Sequence, residues 1–209
     1  MAGQITLVTG AVRSGKSRFA ERLASELAGD GAVTYVATAR VWDDEMRARV
    51  AAHRAARPAA WTTVEEPLHL ASALRRAALT KPAALLVESL DMWVSNRLLD
   101  AQPIGEDDSS QLDKTRLTDL EAALLAEVGE IVAAQRESGA QLVAVTVEAG
   151  WGVVPPYPLG RAFRDVLGRV NSALAVEAER VYLMVAGLPV DVKRLSAQRE
   201  EMAWTQHER

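Results

Sequence analysis

Residues 10–17 read Gly10-Ala11-Val12-Arg13-Ser14-Gly15-Lys16-Ser17, which fits the phosphate-binding loop pattern G-x-x-x-x-G-K-[ST]. Its setting fits as well. Ile5, Leu7 and Val8 form a short apolar run that reads as a strand. After the loop, Phe19, Leu23 and Leu27 alternate with Arg18, Glu21, Arg22 and Glu26 at helical spacing. Strand, glycine loop and helix together predict backbone N–H groups wrapped around phosphate oxygens, with the helix N-terminus adding partial positive charge. In such a loop Lys16 reaches the β- and γ-phosphates and Ser17 ligates Mg²⁺.

Outward from the loop, strand-like runs recur at 33–38, 84–89, 142–147 and 181–186, with residues 61–64 as one more short candidate. Helical patterns cover 15–28, 43–57, 67–79, 112–138 and 159–178. Strands alternating with helices predict an α/β fold with a mainly parallel sheet covered on both faces. Residues 100–110 read as a surface excursion, and the whole chain, 1–209, reads as one domain.

Composition excludes several classes. With 49% hydrophobic and 25% charged residues, the 209-residue chain is of ordinary globular make-up, and no apolar run is long enough to span a membrane. Cysteine is absent, which excludes disulfides and thiolate metal sites, and no signal peptide is evident, so a cytoplasmic address is expected. A net charge of −4 without a basic stripe argues against nucleic-acid binding.

In open α/β sheets ligands sit at the carboxyl ends of the strands. After the second run come Ala37, Thr38 and Ala39, then a helix on which Glu45, Arg49, His53 and Arg57 recur every four residues. One His between two Arg suits phosphate chemistry: guanidinium groups hold oxygens, and imidazole acts as base or nucleophile. A solvated face laced with i,i+4 ion pairs fits the same spacing. The third run ends on Glu88, either a metal-supporting acid or a strand-end charge turned to solvent. After the fourth, Gly150-Trp151-Gly152 and Pro155, Pro156 and Pro158 make a shaped loop. It reads equally as a substrate wall, a packing loop or a subunit contact. His69 and His207 stand isolated.

Taken together, four blocks resemble the bifunctional adenosylcobinamide kinase / adenosylcobinamide-phosphate guanylyltransferase family. The first is Arg13-Ser14-Gly15-Lys16-Ser17-Arg18 with Ala20-Glu21. The second is Tyr35-Val36-Ala37-Thr38-Ala39, then Asp44-Glu45-Met46, Arg49, His53, Arg57-Pro58, Trp61 and Glu65. Leu86-Val87-Glu88-Ser89-Leu90 with Trp93 and Ser95-Asn96 is the third. The fourth joins Glu148, Gly150-Trp151-Gly152-Val153-Val154-Pro155, Phe163-Arg164-Asp165, Gly168-Arg169 and Asn171. The chain departs from the family's usual letters at Ala11, at Thr146-Val147 and at Pro156-Tyr157.

The resemblance implies a RecA-like P-loop NTPase fold and two reactions. A nucleoside triphosphate, ATP or GTP, phosphorylates adenosylcobinamide. GTP then guanylylates a histidine, and the GMP passes to the corrinoid phosphate to give adenosylcobinamide-GDP. The guanylylated histidine aligns with His53. Nucleotide contacts carry over to residues 10–17, Ala37, Thr38, Ala39, Arg54, Ala55, Ala56, Arg57, Glu65 and Glu88, with Mg²⁺ at Ser17 and Glu88. The family implies a homo-oligomer, a trimer among the options. Two other readings compete: a P-loop small-molecule kinase without nucleotidyl transfer, and a regulatory nucleotide binder with no second substrate.

Overall fold

A computed structural model of the chain describes residues 3–40, 44–101 and 113–197, except for the side chains of residues 45, 46, 49, 52, 53 and 56. Seven strands form one sheet. They are β1 (Ile5–Gly10), β2 (Val33–Ala37), β3 (Thr62–Glu65), β4 (Ala84–Glu88), β5 (Gln141–Val145), β6 (Arg180–Val185) and β7 (Leu188–Asp191), in the order β3-β2-β4-β5-β1-β6-β7. All neighbours pair in parallel except β6 and β7, which form an antiparallel edge. The helices are α1 (Lys16–Ala28), α2 (Asp44–Ala56), α3 (Leu70–Ala78), α4 (Leu90–Ala101), α5 (Lys114–Ser138) and α6 (Pro158–Glu177).

The central strands β1, β4 and β5 are buried on both faces, so their sequences read as continuous apolar runs rather than alternating ones. On one face α1 packs Ala20, Leu23 and Ala24 against Val8, Tyr35, Leu86 and Val143. On the other, α3 to α6 bury Leu74, Trp93, Leu124, Ile131 and Val170 against Leu7, Leu85 and Leu142. Each such side chain contributes roughly 1.5–3 kcal/mol by leaving water. Cap chemistry places the long helix α5: Asp113 accepts from the N–H groups of Thr115 and Arg116, and Gly139 ends it in the left-handed region at φ 66°. No helix of the described residues is long and apolar enough to cross a membrane.

The strand and helix expectations hold with end shifts of a few residues, and the short run near 61–64 is the edge strand β3. Two elements have no sequence expectation behind them. Helix α4 follows β4 directly, inside a stretch read as no element, and β7 follows β6 after a two-residue turn. Of the expected surface excursion, Asp100 belongs to α4, and residues 102–110 lie outside the described residues.

Candidate active site

The strand order reverses around the carboxyl ends of β1, β5, β4 and β2, and there the loop of residues 10–17 closes. Gly10 leaves β1 at φ 141°, and a Cβ there would stand 2.6 Å from the Met184 carbonyl oxygen, so no other residue fits. Gly15 turns into α1 at φ 91°. Arg13 occupies the left-handed region at φ 58° without being glycine, a strain of roughly 1 kcal/mol or more. Ala11 is not at a positive φ, so the departure from the family's usual glycine is accommodated without strain.

The loop is held by its own groups. The Ser14 N–H donates to the Ala11 carbonyl at 3.3 Å, and the Gly187 N–H in the β6–β7 turn donates to the Ser14 carbonyl at 3.1 Å. Lys16 Nζ folds back to donate to the Ala11 carbonyl at 2.7 Å. Helix α1 has no side-chain cap and no acidic residue in its first turn. Its opening N–H groups therefore receive no cap from α1's own side chains and keep their partial positive charge at the loop.

Glu88 ends β4 level with Ala37 on β2 and Val145 on β5. Its two carboxylate oxygens are divided. Oε1 accepts from the Ser17 hydroxyl. Oε2 accepts from the Tyr35 hydroxyl at 3.1 Å. The Arg57 guanidinium lies 3.3 Å from the centre of the Tyr35 ring. Burial and the charge of Glu88 push the Tyr35 hydroxyl above its ordinary range, which keeps it a donor. Burial lowers the Lys16 ammonium against the opposing pull of Asp91 and Glu88. Asp91, in the first turn of α4, is pushed up by burial in spite of a Ser89 hydrogen bond and the nearby Lys16 charge.

These groups line one cleft of about 340 Å³. Of the residues singled out in the sequence, Val12, Arg13, Lys16, Ser17, Ala37, Ala39, Arg57, Glu65 and Glu88 border it. Gly10, Ala11, Ser14 and Gly15 shape the loop behind it. Thr38 is fully buried in a supporting layer: its hydroxyl donates to the Ser89 carbonyl and accepts from the Ser89 N–H, both at 2.7 Å. The Asn96 amide donates to the Thr38 carbonyl at 2.7 Å. Arg54 and Ala55 are exposed, and Arg54 pairs with Glu65 at 3.9 Å. His53 stands on α2, but its side chain, like those of Glu45, Arg49 and Ala56, lies outside the described residues.

The sequence reading missed Tyr35 as a site residue except as part of a resembling block, and it missed Asp91 and Met92 altogether. Asp91 falls just past a strand end, where the rule for open sheets directs attention. Val147 also borders the cleft. Asn171 on α6 holds that segment by accepting from the Thr146 hydroxyl at 2.7 Å and donating to the Val147 carbonyl at 3.0 Å. The Trp151 loop stands away from the cleft, with Trp151 70% and Val153 95% exposed.

Buried polar atoms without a protein partner call for one from outside the chain, water or ligand. Among the described residues they are Ser14 Oγ, Arg57 Nε and Asp91 Oδ1, one in the glycine loop and two on residues lining the cleft. The donor set also suits Mg²⁺, a hard cation that takes few protein oxygens and completes its shell with phosphate and water. Ser17 and Glu88 present such oxygens in contact with one another.

Comparison with known proteins agrees with this geometry. Residues 6–192 match the CobU family, described as cobinamide kinase / cobinamide phosphate guanyltransferase. The bifunctional adenosylcobalamin biosynthesis protein CobU of Escherichia coli (strain K12) is 41% identical over 90% of this chain and 98% of its own. The bifunctional adenosylcobalamin biosynthesis protein CobP of Pseudomonas aeruginosa is 44% identical over 90% of this chain and 96% of its own. CobU of Salmonella typhimurium is 42% identical over 90% and 98%. A match of this extent settles descent, and the chain belongs to the cobinamide kinase / cobinamide phosphate guanyltransferase family.

Proposed function

We propose that this chain carries out both reactions of its family: phosphorylation of the adenosylcobinamide hydroxyl by a nucleoside triphosphate, and transfer of GMP from GTP to the resulting phosphate through a covalent adduct on His53. The observation that supports this most is the convergence on one cleft of Lys16, the Ser17–Glu88 pair and buried polar atoms left without partners.

In the kinase step the loop amides and Lys16 hold the β- and γ-phosphates, and the acceptor hydroxyl attacks the γ-phosphorus as the bond to the diphosphate breaks. Lys16 then leaves the Ala11 carbonyl for phosphate oxygens, a stronger, charge-assisted contact. In the second step an imidazole nitrogen of His53 attacks the α-phosphorus of GTP, and pyrophosphate departs. The phosphate of the corrinoid next attacks the same phosphorus, the P–N bond breaks, and His53 is restored. Ser17 and Glu88 would hold Mg²⁺, which would supply charge neutralisation on the phosphates. Arg57 steadies phosphate oxygens from the end of α2, Arg54, Glu65, Ala37 and Ala39 frame the nucleotide, and Thr38 supports that frame from behind. The reading takes the chain as one P-loop domain over 1–209 that acts as a cytoplasmic homo-oligomer, a trimer by family likeness.

The test is GTP labelled at the α-phosphate. Denatured protein is expected to retain acid-labile, alkali-stable label, which chases onto corrinoid phosphate and is absent in His53→Asn. That variant is expected to keep its kinase step within a few fold. Label from the γ-position alone, appearing in a small product, would leave only a simple kinase.

A further inference from the structure

Tyr35 stands at a junction that the two reactions above leave without a role. Its side chain is only 3% exposed on β2, beneath the cleft. Its hydroxyl donates to one oxygen of Glu88 at 3.1 Å, while the other oxygen of Glu88 accepts from Ser17. Its ring carries the Arg57 guanidinium at 3.3 Å, and Arg57 Nε is buried without a partner. One side chain therefore touches both the acid assigned to the metal and the cation assigned to the phosphates.

We propose that Tyr35 is a positioning residue with two separable contacts, its hydroxyl fixing which Glu88 oxygen faces Ser17 and its ring fixing Arg57 over the cleft. A carboxylate at a strand end turns freely about its last bonds, and a single donor on one oxygen leaves the other facing the metal position. A guanidinium just past a helix end is equally free, and stacking on a buried aromatic face restricts it at little cost in hydration. The inference rests on the proposed function through the metal role of Ser17 and Glu88.

The separation gives the test. Tyr35→Phe removes the hydroxyl and keeps the ring, whereas Tyr35→Leu removes both. The readout is equilibrium binding of a fluorescent, non-hydrolysable GTP analogue to the full chain, titrated with Mg²⁺ and repeated without it. For Tyr35→Phe the Mg²⁺ concentration giving half-maximal enhancement is expected to rise about tenfold, the scale of one hydrogen bond to a charged group. Its Mg²⁺-free affinity should match wild type. For Tyr35→Leu the Mg²⁺-free affinity should fall several-fold as well.

A Phe variant with the wild-type Mg²⁺ requirement overturns the proposal, even if it melts at a lower temperature. A Phe variant that loses Mg²⁺-free affinity as fully as the Leu variant overturns it too, because the two contacts are then one packing effect. A wild-type protein whose binding ignores Mg²⁺ overturns the metal role of Ser17 and Glu88, an outcome distinct from either of these.

Discussion

The glycine loop and helix α2 meet at the same cleft but are built in opposite ways. The loop is held at every turn: Gly10 and Gly15 take conformations that side chains oppose, hydrogen bonds from Ser14 and Lys16 close it from within, and Gly187 closes it from the β6–β7 turn. Among the described residues, helix α2 has no comparable set. Its described side chains Asp44, Arg47, Ala48, Ala51, Arg54 and Ala55 are exposed. It meets the cleft through Val50, the Arg57–Tyr35 stack and an exposed Arg54–Glu65 pair worth at most about 1 kcal/mol. The loop is a site made by folding. The helix is a carrier, and under the proposed function its contribution is the one imidazole of His53.

That contrast breaks first at Lys16. If the loop serves both half-reactions, Lys16→Ala is expected to lower kcat/KM for kinase and guanylyl transfer alike, by roughly 10²–10³-fold each. Loss of only one activity, in paired steady-state assays, would assign a separate phosphate clamp to the other. Glu88→Gln keeps the hydrogen-bonding shape and removes the charge. It is expected to cost about tenfold or more in activity and to raise the Mg²⁺ concentration needed. An unchanged Mg²⁺ dependence would remove its assigned role.

The smallest effect sharpens the loop side alone. Asp91 holds a buried oxygen with no partner, and burial raises its carboxyl above the usual 3.8. A raised acid contributes stability that is full below its unfolded value and is lost as pH rises through the folded one. At neutral pH Asp91→Asn should therefore be more stable than wild type by on the order of 1 kcal/mol. Denaturant midpoints should show the gap closing as pH falls toward 3.8. A gap that widens on acidification would mean that the carboxylate is stabilised in place.

How much of this the sequence discloses follows the same divide. The loop, α1 and the alternation of strands with helices are legible because local conformation and periodicity decide them. Helix α4 is not, because it buries Leu90, Trp93, Val94, Asn96 and Leu98 among the sheet, α5 and α6, which erases a clean apolar stripe. With α4 unread, Asp91 had no place in the site. Strand β7 is a four-residue edge carrying Pro189, visible only through its pairing with β6. Glu88 was legible as an acid at a strand end, but its division between Ser17 and Tyr35 depends on β2 and β4 lying side by side. His53 was ambiguous by spacing, since a solvated face has the same pattern, and only family likeness singled it out.

Under the proposed function the imidazole on α2 receives GMP from a triphosphate cradled by the loop. The most direct measurement of that transfer is peptide mapping of protein treated with GTP and digested with trypsin under alkaline conditions. One added GMP is expected on the peptide Val50-Ala51-Ala52-His53-Arg54, and none on that peptide from Lys16→Ala. GMP on any other peptide, or none on wild type with GTP still bound, would contradict it.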